Sequence, residues 1–236
     1  MLNYGSLDSL EDYRLKVHII CEGPTDEMIL KRMLGLLIKN GVEFVSPSST
    51  QRKNRGVSSI IRIRRIDGKP IREINEPIFH KMLHQSYAKG SELIVISIDN
   101  DNDAFDGGIP IRKSVIAEGY DYFREKNDWL RDNYIGRCII IPVQDIEYWL
   151  YVCKCNEAKV NSIPTFENIP QSGMKREVYG ESVNAFGSPT EEAVRNSVNK
   201  YMNYNNIKNR LRRYPSYKLF EKELIEILGE REIRSD

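Results

Sequence analysis

A chain of 236 residues and 27.4 kDa has room for one α/β domain, or for a core of about 150 residues with a small addition, but not for two full-size domains. With 40% apolar and 29% charged residues it falls outside the disordered and fibrous classes and predicts a buried core. A net charge of +1 excludes a polycation, so any case for nucleic-acid binding has to come from local clusters and not from total charge.

No apolar run approaches the roughly 20 residues of a membrane span, and the early segment LDSLEDYR lacks the pattern of a signal peptide. A cytoplasmic protein with no membrane association is therefore expected. Along the chain, residues 16–21 (KVHIIC) read as a buried strand running into the turn Glu22-Gly23-Pro24. Thr25 is expected to cap a helix carrying Met28, Ile29, Met33, Leu36 and Leu37, which Asn40-Gly41 stops. Residues 42–45 (VEFV) supply the next strand, and 46–59 read as a loop that opens an insertion over about 46–90. Within the insertion, Ile61 to Arg64 alternate as a strand does, and 73–88 has helical spacing.

Residues 92–98 (ELIVISI) form the clearest buried strand, because a β-branched run suits a parallel strand covered on both faces. A helix is predicted over 111–126, a strand over 137–143 (RCIIIPV) and a helix over 145–153. The polar stretch 155–188 lacks periodicity and reads as a long loop or lid. Ser188, Pro189 and Glu191 then supply helix-start signals, and Ser216 precedes an amphipathic segment with Leu219, Phe220, Leu224 and Leu228. Strands alternating with helices predict an α/β fold with a mostly parallel sheet and helices on both faces. The expected organisation is a core over 1–154 followed by a polar loop and a helical C-terminal region over 155–236.

In an open parallel sheet ligands bind beyond the carboxyl ends of the strands. Acids fall there repeatedly: Glu22 after the first strand, Asp99, Asp101 and Asp103 after ELIVISI, and Glu147 after RCIIIPV. One such acid ordinarily caps a helix or solvates a loop. Several converging from separate strands repel one another unless a cation neutralises them, and carboxylate oxygens suit magnesium.

The segment EGPTDEMIL after one strand, DND after a second and the Glu of QDIEYWL after a third resemble the signature of the Toprim fold. The resemblance covers roughly residues 16–153 and is nearest to OLD-type or RloB-like stand-alone Toprim proteins of phage defence. It implies a Mg²⁺- or Mn²⁺-dependent nuclease that hydrolyses phosphodiester bonds in DNA or RNA. Glu22 then matches the family's first acid, a metal ligand or general acid/base, and Asp99 and Asp101 match its metal-binding pair. Asp26 stands where OLD-type relatives carry a second acid, here Asp in place of Glu. Ser97 resembles the small hydroxyl residue before the DxD, Glu147 resembles a later acid in related proteins, and Lys175 corresponds to a lysine that stabilises charge near the scissile phosphate; Asp103, next in the acidic run, is a further candidate metal ligand. OLD-type systems pair Toprim with an ABC-type ATPase, and the chain has no GxxxxGK[ST] of its own, so a separate ATPase partner is implied. The rival reading is an inactive Toprim-like subunit that binds nucleic acid or the ATPase. An oligomer is compatible with either.

Basic residues cluster twice. Arg52, Lys53, Arg55, Arg62, Arg64 and Arg65, with Lys69 and Arg72 beyond them, could line nucleic acid; Lys208, Arg210, Arg212, Arg213 and Lys218 form a second group. Cys21 and Cys138 read as small core hydrophobes, and the Cys153/Cys155 pair lacks zinc spacing. An EF-hand fails on Ala104 and Pro110, where the loop needs Gly and Glu. His80 and His84 share a helix face without a catalytic setting, and Tyr148 and Trp149 read as packing residues.

Overall fold

The computed structural model describes residues 13–45, 60–67, 69–99, 105–106, 109–132, 136–142, 146–156, 171–183, 188–230 and 232–234. The first apolar run forms β1 (Leu15–Ile20) and the helical spacing after it forms α1 (Pro24–Leu37). Thr25 lies inside the first turn and does not cap it. Gly23 holds the cap position and Pro24 the first helical one, where a missing N–H is harmless, while Asp26 Oδ2 accepts from the Gly23 amide at 3.1 Å. After β2 (Val42–Phe44) comes an antiparallel ribbon of β3 (Ile61–Ile66) and β4 (Lys69–Ile74), and then α2 (Glu76–Ala88). The expected helix over 73–88 thus starts three residues late. Glu73 and Ile74 belong to the ribbon because the chain turns back after Asp67, which stands at φ 52, and β4 pairs along β3 from Ile66 opposite Lys69 to Ile61 opposite Ile74.

The chain continues through β5 (Leu93–Ser97), the short pair β6 (Phe105–Asp106) and β7 (Ile109–Pro110), α3 (Ile111–Lys126), α4 (Asp128–Asp132) and β8 (Gly136–Ile140). Among the described residues five further α-helices come next: α5 (Glu147–Lys154), α6 (Gln171–Tyr179), α7 (Glu191–Tyr201), α8 (Tyr204–Asn209) and α9 (Pro215–Leu228). Helix α6 corrects the expected long loop over 155–188. Its Met174 and Val178, at i and i+4, are buried, so a short amphipathic helix lies inside a stretch whose composition is polar. Helix α7 is capped by Thr190, whose hydroxyl accepts from the Ala193 amide at 3.2 Å, and not by Ser188. Leu219 on α9 is 37% exposed and leaves the core to Tyr217, Phe220 and Leu224.

Four strands pair in parallel in the order β2-β1-β5-β8, with Ile20 opposite Ile96 and Ile96 opposite Ile139. Right-handed crossovers dictate which face each helix covers. The step from β1 to β2 runs one way and puts α1 on one face; the steps to β5 and β8 run the other way and put α2 and α3 on the opposite face. The two cores arise from strand alternation. Val17, Leu93, Val95, Cys138 and Ile140 pack with α1, α5 and the C-terminal helices, whereas Ile20, Ile94, Ile96 and Ile139 pack with α2 and α3. The chain is α/β, with a parallel sheet covered on both faces and a helical C-terminal region, an arrangement consistent with a Toprim-like core. Among the described residues no helix is long and apolar enough to cross a membrane.

Candidate active site

Strand order reverses between β1 and β5: from β1 the chain leaves toward β2 on one side and later returns on the other as β5. The helices attached to these strands therefore diverge, and a crevice opens beyond the carboxyl ends of β1 and β5. Glu22 and Asp99 each lie two residues past the last residue of these strands and are half-buried. Glu147 opens α5, after the next strand over, β8. With neighbouring strands about 4.8 Å apart, β1, β5 and β8 spread their ends over only about 10 Å. Ser97, the last residue of β5, is buried at this edge.

The edge is held in register to its end. The Ile98 amide donates to the Ile140 carbonyl at 3.1 Å, continuing the β5–β8 ladder up to Asp99. Arg112, in the first turn of α3, donates from Nη1 to the Asp99 carbonyl at 2.6 Å and ties the start of the next loop to the helix. The neighbouring Lys113 donates to the Ile139 carbonyl at 2.8 Å and pairs with Glu223 of α9. Neither cation was foreseen from the sequence. Their position at the head of the helix after DNDND was the available signal.

Glu147 and Lys175, 28 residues apart, meet as an ion pair at 3.4 Å. The carboxylate is 3% exposed and the lysine 18%, so the pair is shielded from water and from screening by salt. The first turn of α5 adds its exposed amide dipoles to the stabilisation of the carboxylate. Asp26 has a different place. It is buried and turned back on the Gly23 amide, which is the task of an acid in the first turn of a helix.

The structure thus brings Glu22, Ser97 and Asp99 to one sheet edge and joins Glu147 to Lys175. Asp101 and Asp103, together with Arg52, Lys53 and Arg55, lie outside the described residues. Among the described residues, no group of three or more His, Cys, Asp or Glu side chains stands close enough to hold a metal ion. The donors at the edge are nonetheless all oxygen, from carboxylates and a hydroxyl, which is the chemistry that hard divalent cations prefer. A cavity of about 540 Å³ between β4 and α3 is lined by Arg62, Arg72, Glu73, Glu76 and Glu118, and by none of these acids.

Other candidates resolve into packing. All four cysteines are free and buried, and burial raises the Cys21 and Cys138 thiols and lifts Cys153 to about 12, which leaves none of these three as a thiolate nucleophile. His80 and His84 stack in an aromatic group with Trp129 and Phe123, with His84 4.9 Å from the Trp129 ring. Tyr148 and Trp149 are core residues. In the second basic cluster Arg210 donates to the Cys153 carbonyl at 2.6 Å and Arg212 to Glu221 at 2.8 Å, so those two guanidinium groups brace the C-terminal helices. Arg62, Arg64 and Arg65 lie on β3 and are exposed. Comparison with protein-family models, with curated proteins and with solved structures finds no match to this chain.

Proposed function

We propose that the chain is a Toprim-type, metal-dependent phosphodiesterase that cleaves nucleic acid, in phage defence or nucleic-acid processing in the cytoplasm. The observation that carries this reading is the emergence of Glu22 and Asp99 from adjacent parallel strands at the point where strand order reverses. Acids so placed face the crevice where an open α/β sheet takes its ligand, and two anions side by side there call for a cation.

Glu22, Asp99 and Asp101 would hold Mg²⁺ or Mn²⁺, with Ser97, Asp103, Asp26 and Glu147 as further oxygen donors or supports. A divalent ion bound there neutralises phosphate charge and lowers the pKa of a coordinated water. The protein's own tasks are to orient and to move protons. Glu22 accepts the proton of the attacking water, Arg112 fixes the backbone at Asp99, and Lys175, held by Glu147, presents positive charge to the phosphate. If cleavage requires ATP, a separate ABC-type ATPase supplies it.

The test is incubation of the purified chain with supercoiled plasmid, single-stranded DNA and total RNA in Mg²⁺ or Mn²⁺, beside Asp99→Ala and Glu22→Gln. Cleavage is expected to require the metal and to fall by about two orders of magnitude or more in each variant, as loss of several kcal/mol of charge stabilisation implies. Cleavage unchanged in Asp99→Ala, or no metal-dependent cleavage of any substrate with or without an ATPase partner, would sink the reading.

A further inference from the structure

The β3–β4 ribbon is unlike the rest of the molecule. Six residue pairs, from Ile61 opposite Ile74 to Ile66 opposite Lys69, run antiparallel over about 17 Å. Three isoleucines on it are exposed, Ile63 and Ile66 at 54% and Ile71 at 41%. A two-stranded hairpin is marginal alone in water, and this one leaves apolar side chains outside. Its base is firmly set. The Asn75 amide donates to the Ile60 carbonyl at 2.7 Å, Ile60 is fully buried, and Ile74 lies so close over Gly119 of α3 that a methyl group there would overlap it.

Alternation divides the ribbon's faces. Ile61 and Ile74, at the base, belong to the face toward α3, so Arg62, Arg64, Ile66, Lys69, Ile71 and Glu73 share the other, and Arg62 and Glu73, the pair nearest the base, also reach the cavity beside α3. The ribbon carries five basic side chains against Asp67 and Glu73, and Glu73 is engaged with Arg64 at 3.3 Å in an exposed pair of small worth. Its position connects it to the acids. Ser86, near the end of α2, meets His18 on β1, and α2 runs back from there so that ten residues carry its start, at the foot of the ribbon, about 15 Å toward the carboxyl edge.

We infer that the ribbon is an arm that enters the major groove of double-stranded DNA, with its Arg62/Arg64/Lys69 face toward the bases and Ile66 and Ile71 against thymine methyls. The B-form major groove, about 12 Å wide, admits a two-stranded ribbon, and guanine edges there accept from arginine. The deep, narrow major groove of A-form RNA does not admit it. A second copy of the chain would bring like charge against like charge. The inference deepens the proposed function by naming duplex DNA as the substrate class and rests on that reading for its place in cleavage, although the binding it describes requires no metal.

The experiment measures fluorescence anisotropy of the full chain, in EDTA, with three labelled 30-base-pair duplexes: DNA, RNA of the same sequence, and DNA whose cytosines carry bulky glucosyloxymethyl groups that fill the major groove. Plain DNA should bind at least tenfold more tightly than either alternative. The double variant Arg62→Ala/Arg64→Ala should bind it at least tenfold more weakly; Lys200→Ala/Lys222→Ala, on exposed helix faces, should match the parent. Circular dichroism verifies the fold of each variant. Equal binding of RNA, indifference to the glucosyl groups, or an unaltered affinity in a folded Arg62/Arg64 variant overturns the arm. So does a variant that changes only oligomeric state by light scattering. Asp99→Ala should bind DNA as the parent does, so DNA binding that meets these expectations without any cleavage would overturn the nuclease reading alone.

Discussion

At the scale of single residues, acids and bases of one type divide between chemistry and architecture according to what surrounds them. Glu22 and Asp26 lie four residues apart, yet Asp26 closes the first turn of α1 while Glu22 stands at the strand's open end. His18 shows the same dependence on surroundings. It is buried in β1, and its Nδ1 meets Ser86 Oγ. That hydroxyl already donates its single proton to the Met82 carbonyl at 3.1 Å, so the histidine must be the donor, neutral and protonated on Nδ1. Burial lowers its pKa to about 4, with the Lys89 charge acting in the same direction and Glu27 against it. Because the folded pKa lies below the unfolded value of about 6.5, the unfolded chain binds more protons between these limits. Stability is then complete above about pH 6.5 and falls as pH drops toward 4, by on the order of 3 kcal/mol. Urea unfolding at pH 7.5 and 4.5 should show a steeper loss for the parent than for His18→Asn, which keeps a donor but does not titrate. Parallel losses would show that His18 does not govern this range.

At the scale of elements, the parallel sheet was legible because its strands are buried on both faces and announce themselves as apolar runs: KVHIIC, ELIVISI and RCIIIPV all became strands of it. The ribbon was half legible. β3 alternates, but the proline and charges of KPIREI obscure β4, and only two residues separate the paired Ile66 and Lys69. Helix α6 was hidden because its apolar stripe is thin, resting mainly on Met174 and Val178 within QSGMKREVY. The same helix brings Lys175 to Glu147, a meeting that spacing in the chain could not reveal. This pair ties α5 to α6 and predicts an asymmetric response to mutation. Lys175→Met leaves a buried carboxylate without its cation and should destabilise the fold by about 3 kcal/mol, whereas Glu147→Gln/Lys175→Met, which removes both charges, should lose much less. Denaturant midpoints of the two single variants and the double variant give the coupling directly. Additive losses would mean that the two charges act independently.

At the scale of the whole molecule, the C-terminal helices cannot be separated from the sheet they cover. On α9, Tyr217, Phe220 and Leu224 are buried in the same core as Val95, Cys138 and Ile140. Trp149 packs edge-on to Tyr217, with ring centroids 5.3 Å apart, and donates from Nε1 to Ser216 at 3.0 Å. Backbone contact is equally close: Gly136 opens β8 directly beneath α9, where a Cβ would come within 2.6 Å of Ile227. Removing residues 215–236 therefore strips four buried side chains, Tyr217, Phe220, Leu224 and Ile233, from the core and exposes Trp149. Large buried side chains are worth about 2–5 kcal/mol each, and their sum matches or exceeds the 5–15 kcal/mol by which a domain is ordinarily stable. A chain ending at Tyr214 should lose its near-ultraviolet circular dichroism and its cooperative thermal transition, while the full chain melts in one step. A truncated chain that kept both would mean that residues 1–214 fold alone and that α9 is a dispensable cover. Loss of both means that the acids at the strand ends are held in place from the far end of the chain, so their activity has to be measured with α9 present.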